Sequence, residues 1–173
     1  MRTCIAIILA ASLFACGKPG GTEPAPQEPK GEAPVTTTVP PLSAIPPGLS
    51  PLSYDQFSAL IEPGTGCSFS SVDEKLMFVA TAPVDPAATA EAVISPEQVG
   101  PIVLRADTPG GYDALVKGGS FTDGTGHRIK ITVEPGPAMR GEIETQSWIA
   151  ELVYTAPGNA RVTFSDGSWS CGA

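Results

Sequence analysis

The sequence predicts a mainly β domain, a small antiparallel β-sandwich or barrel closed by one disulfide, with one or two short helices, placed after a signal peptide and a disordered Pro-rich tether. Three observations carry that prediction. Apolar side chains alternate with period two through the second half of the chain, Gly and Pro turns punctuate it at short intervals, and Cys67 and Cys171 bracket the same segment. Composition shifts divide the chain into residues 1–15, 16–52 and 53–173.

The first fifteen residues have the parts of a secretion signal: Arg2, an apolar run from Ile5 to Phe14, and the small residue Ala15. At about 1.5 Å per residue that run makes roughly 15 Å of helix, half of the roughly 30 Å a bilayer core requires. It is read as a removable signal. Leu13 is too large for the third position before an ordinary cut, and Leu13-Phe14-Ala15-Cys16 resembles the lipobox of bacterial lipoproteins. That resemblance implies lipidation of Cys16, cleavage just before it, and a mature chain held in the membrane by its acyl chains. Gly17 follows the Cys where an Asp would imply inner-membrane retention, so the expected address is the bacterial outer membrane, facing the periplasm.

Residues 17–52 hold ten of the nineteen prolines, five glycines and scattered charges, with little that could form a core. They read as a disordered linker. From residue 53 the composition becomes globular, about 120 residues, enough for one domain with its own core.

Within the domain, Ser53 and Gln56 make a capping box for a helix that presents Tyr54, Phe57, Leu60 and Ile61 on one side and stops before Pro63. Residues 76–82 form a nearly continuous apolar strand, which predicts burial on both faces; residues 90–94 and 102–106 follow as strands. Thr108-Pro109 opens a second short helix with Tyr112, Leu115 and Val116 on one face and Gly118 as its stop. Residues 128–134 alternate, turning Ile129, Ile131 and Val133 inward. After the Pro-Gly-Pro segment of residues 134–146, Trp148, Ala150, Leu152 and Tyr154 line a strand's apolar face, and Pro157-Gly158-Asn159 turns the chain back. Asp166-Gly167 predicts a two-residue hairpin turn that pairs Phe164 with Trp169 and Val162 with Cys171, setting all four toward the core.

With Cys4 lost in the signal and Cys16 lipidated, Cys67 and Cys171 remain to pair in an oxidising periplasm. No Cys-x-x-Cys accompanies them, so the bridge is read as structural. The formal charge is −8, and residues 55–173 hold seven Lys and Arg against fifteen Asp and Glu. A surface so short of cations is poorly suited to phosphate backbones, which argues against nucleic acid as a partner.

Reactive constellations are few. His127 is the one histidine, it follows the turn Asp123-Gly124-Thr125-Gly126, and no Gly-x-Ser-x-Gly elbow accompanies it, so it reads as a strand-edge residue rather than a general base. No P-loop or dinucleotide fingerprint is present, Asp73-Glu74 reads as a solvated loop, and residues 123–126 lack the spaced carboxylates of a calcium loop. No catalytic residue, cofactor or metal is expected.

Gly110-Gly111-Tyr112 followed by Lys117-Gly118 in a lipidated, disulfide-closed small β domain is faintly similar to the membrane-bound inhibitors of c-type lysozyme. In that family a Ser and a Lys from such a region enter the lysozyme cleft. The resemblance puts Lys117 in that role, and no Ser precedes the glycines here. The expected function is that of a non-catalytic envelope lipoprotein whose β domain binds a protein or envelope component. The alternatives are a structural lipoprotein without a specific ligand and a divergent periplasmic hydrolase.

Overall fold

The computed structural model describes residues 46–140 and 144–172. The expected signal peptide, the lipidated Cys16 and the tether up to residue 45 lie outside the described residues. The elements are α1 (Tyr54–Ser58), β1 (Gly66–Ser70), β2 (Leu76–Thr81), β3 (Glu91–Ile94), β4 (Ile102–Ala106), α2 (Gly111–Leu115), β5 (Gly118–Thr122), β6 (Arg128–Val133), β7 (Met139–Arg140), β8 (Gln146–Thr155) and β9 (Arg161–Gly172).

Each strand from β1 to β6 pairs antiparallel with the next, β6 pairs with β8, β8 with β9, and β9 returns to β1. The result is a closed eight-stranded up-and-down barrel; β7 adds only a short pairing with the start of β8. Closure removes the unpaired edges that two open sheets would carry. An even number of strands lets the last meet the first antiparallel.

The interior is filled with side chains. Phe69, Phe78, Leu104, Leu152 and Trp169 are fully buried, with Phe121, Ile129 and Tyr154 nearly so. Phe78 meets Phe121 edge-on at 5.0 Å and Trp169 at 5.8 Å between ring centroids, inside the range where aromatic pairs attract. An eight-stranded barrel is just wide enough for such a packed core. The alternation expected of residues 128–134 holds, with Ile129 and Ile131 buried and Arg128 and Lys130 exposed on β6. On β2, Met77, Phe78 and Ala80 point to this core, while Leu76 and Val79 pack outside the barrel against a second cluster containing Leu52, Ile61, Val93 and Phe57. That outer cluster explains why β2 is apolar on both faces: α1 and its flanks cover it.

Three expectations need correction. Asp166-Gly167 does not turn the chain, because β9 runs unbroken through it. Ala150 pairs with Gly167 and Leu152 with Phe164, so β9 takes one extra residue at a β-bulge, with Asp166 at φ 56°. The bulge shifts the two-residue alternation by one position, so Val162 and Phe164 share the inner side with Trp169 and Cys171 despite the difference in parity. Gly167 is required there, since a Cβ would collide with the Phe69 ring and stand 2.6 Å from the Ser70 carbonyl oxygen. The positive φ that suggested a hairpin turn is used to re-aim a strand.

The second correction concerns the helices. In α1 the Ser53 backbone N–H donates to Gln56 Oε1 at 2.8 Å, as the capping box requires, but the helix ends at Ser58 and leaves Tyr54 and Leu60 exposed. The other helix starts at Gly111 with Gly110 as its N-cap, rather than at Thr108-Pro109. Gly111 sits at φ 58°, where a Cβ would meet the Asp85 and Pro83 carbonyl oxygens; this close approach, sealed by Tyr112 N–H donating to Pro83 O at 2.9 Å, sets where the helix begins.

The third is the domain's start. Composition places residues 46–52 in the linker, yet Leu49 and Leu52 are buried. Ser50 N–H donates to Ser95 O at 2.8 Å, Glu97 N–H to Gly48 O at 3.1 Å, and Leu52 N–H to Leu76 O at 2.7 Å. Residues 47–52 are therefore a strap crossing one end of the barrel, with Leu49 set into the core.

Candidate rim site

Because the strands alternate in direction, the loops of residues 71–75, 95–101, 123–127 and 156–160 gather at the strapped end. Between three of them and the strap lies a cleft of about 290 Å³. Its walls are apolar and stiff, contributed by Pro47, Pro96, Val99 and Pro157, and its polar groups are Glu97, Gln98, His127 and Tyr154.

The loop between β5 and β6 places His127. The Asp123 carboxylate accepts from the backbone N–H groups of Thr125 (2.8 Å), Gly126 (3.2 Å) and His127 (3.0 Å), and from the Thr125 hydroxyl. Burial works against its charge, but the hydrogen bonds from the Thr125 hydroxyl and from the Thr125 and His127 amides prevail and hold the carboxyl below its ordinary 3.8. Asp123 thus orders the loop's backbone, and His127 adds a weaker charge attraction without a hydrogen bond from the ring to the carboxylate.

His127 is 8% exposed. Its imidazole Nδ1 lies 2.7 Å from Tyr154 Oη, and the two rings are nearly parallel, 4° apart with centroids at 6.0 Å. Tyr154 comes from β8, paired next to β6, where Ile129 faces Tyr154 in register. Burial first, and then the negative charge of Asp123, push the Tyr154 phenol above its ordinary 10.0 and keep it protonated. His127 Nε2 has no hydrogen-bond partner among the described residues and is not an enclosed atom, so it reaches solvent at the cleft.

The other residues singled out from the sequence lie elsewhere. Cys67 and Cys171 form the expected disulfide, directly opposite one another on β1 and β9 with 4.1 Å between their Cα atoms. Asp73 and Glu74 are exposed in the loop between β1 and β2, as a solvated turn should be. Lys117 is exposed after α2, at the end of the barrel opposite the cleft. His127 stands at the strand edge that the sequence predicts, whereas its burial and its partner Tyr154 emerge only in the structure. His127 directly precedes β6 and Tyr154 lies within β8, yet no local signal ties two positions 27 residues apart; that needs the β6–β8 register.

Fold and site together define the class: a disulfide-seamed up-and-down barrel with a filled interior and a histidine-lined rim cleft. Comparison with protein-family models, curated proteins and solved structures finds no match.

Proposed function

We propose that the protein is an envelope lipoprotein, anchored through Cys16, whose barrel is a non-catalytic module that binds a protein or envelope component at the strapped rim. The filled interior carries this reading: a barrel packed with Trp169, Phe69, Phe78 and Phe121 has no lumen for a ligand, so recognition falls to its rim and outer wall. The rim offers the stiff, partly polar cleft that binding sites favour. No Ser, Thr or Cys lines that cleft, and the His127 ring is paired with a phenol rather than with a carboxylate, which favours binding over turnover.

The test is site-specific photo-crosslinking in intact cells, with the probe at Gln98 on the rim or at exposed Lys130 on the barrel wall, on protein whose mature mass is measured after membrane extraction. Discrete adducts from Gln98 alone, on a chain starting at acylated Cys16, support the proposal. Adducts equal at both positions, or an unlipidated soluble chain, overturn it.

A further inference from the structure

Building on the rim as the binding face, we propose that the cleft takes a short peptide segment carrying a basic group, with a peptide carbonyl accepting from His127 Nε2–H and the cation paired with Glu97. The pair behind it bears on that donor. Tyr154 keeps its phenolic proton and has His127 Nδ1 as its hydrogen-bond partner at 2.7 Å. With the phenol donating to Nδ1, the arrangement this proposal requires, the neutral ring carries its hydrogen on Nε2, the nitrogen that reaches the cleft.

A donor that opens on the cleft with no protein partner among the described residues offers its hydrogen to a ligand acceptor. A carboxylate would meet Glu97 across the same cleft and Asp123 behind His127, in a domain already rich in acid. An uncharged carbonyl satisfies Nε2–H without that repulsion. Glu97 itself has no cationic partner among the described residues; the ion pair there is Arg105 with Glu91, at 3.0 Å. Pro47, Pro96, Pro157 and Val99 supply rigid apolar walls for a small side chain between the two polar contacts. At about 290 Å³ the cleft lies at the small end of ligand sites, room for a short segment rather than a large cofactor.

His127 is the sole histidine, so its imidazole resonances report on the cleft without ambiguity. The experiment titrates the full mature protein in detergent with three probes, acetyl-Ala-Val-Lys-amide, acetyl-Ala-Val-Gln-amide and acetyl-Ala-Val-Glu-amide, and follows those resonances by NMR. The Lys peptide should shift them saturably and bind at least about fivefold more tightly than the Glu peptide, the scale of one partly exposed ion pair. Glu97→Gln changes an exposed side chain, so it should fold and reduce the Lys peptide to the level of the Gln peptide. The free protein should show the Nε2–H tautomer. No saturable shift with any probe, equal binding of the Lys and Glu peptides, or an Nδ1–H tautomer overturns the inference. If rim crosslinks from Gln98 persist while the peptides fail, only the ligand class falls; if both fail, the rim reading falls with it.

Discussion

Cys67 and Cys171, 104 residues apart, face each other across the seam where the first barrel strand meets the last, so the covalent bond ties the two strands that pair from opposite ends of the domain. The short Cα separation is that of a non-hydrogen-bonded antiparallel pair. Closing so long a loop reduces the entropy of the unfolded chain by up to about 4.7 kcal/mol in the chain-entropy model. Replacing both cysteines with Ser should therefore cost about 2–5 kcal/mol, read from urea unfolding midpoints. A double variant as stable as the parent would show that strand pairing alone holds the seam.

The bulge on β9 predicts a sharp asymmetry between two adjacent residues. Gly167→Ala places a methyl into the Phe69 ring and should destabilise by about 1–3 kcal/mol. Asp166→Gly should be neutral or mildly stabilising, because it removes a side chain from the left-handed region. Thermal melts of the two variants, compared with the parent, check both signs.

The strap predicts where the domain begins. A chain starting at residue 46 should keep the parent's unfolding midpoint, whereas one starting at residue 53 loses Leu49, Leu52 and their backbone hydrogen bonds. Leu49→Ala alone should cost about 2–3 kcal/mol, since Leu49 is inserted in the core at the barrel mouth. Equal midpoints for the two truncations would show the strap to be dispensable.

Tyr154→Phe deletes the phenol and leaves Nδ1 of a buried imidazole without its partner. The expected loss is about 1–3 kcal/mol, accompanied by a change in the His127 tautomer seen by ¹⁵N NMR. An unchanged tautomer would mean that the phenol does not orient the ring.

Two pH limbs follow from the same site, with signs fixed by the direction of each shift. Asp123 has its folded value depressed below 3.8, so its stabilisation is present above that range and is lost as pH falls through the folded value. Tyr154 has its folded value raised above 10.0, so the folded state retains a proton that the unfolded chain releases; stability is present below pH 10.0 and is lost as pH rises beyond it. Tyr112, raised by burial and by Asp113, adds to the alkaline limb. Urea midpoints across the range should show both declines, with Asp123→Ala flattening the acid limb and Tyr154→Phe the alkaline one.

Local chemistry was enough to read the strands of residues 102–106 and 128–134, the Pro157-Gly158-Asn159 turn and the faces of Ile129, Leu152 and Trp169, because period two and turn residues act over a few positions, while counting the cysteines paired Cys67 with Cys171. Tertiary structure decided the rest. A positive φ at Asp166 fits a hairpin or a bulge equally well, and only the Phe69 ring seated on Gly167 selects the bulge. Proline-rich residues 46–52 resemble a linker until the barrel mouth offers Leu49 a place to be buried. The cleft needs four chain segments and the β6–β8 register to bring His127 onto Tyr154, a contact that no short-range pattern encodes.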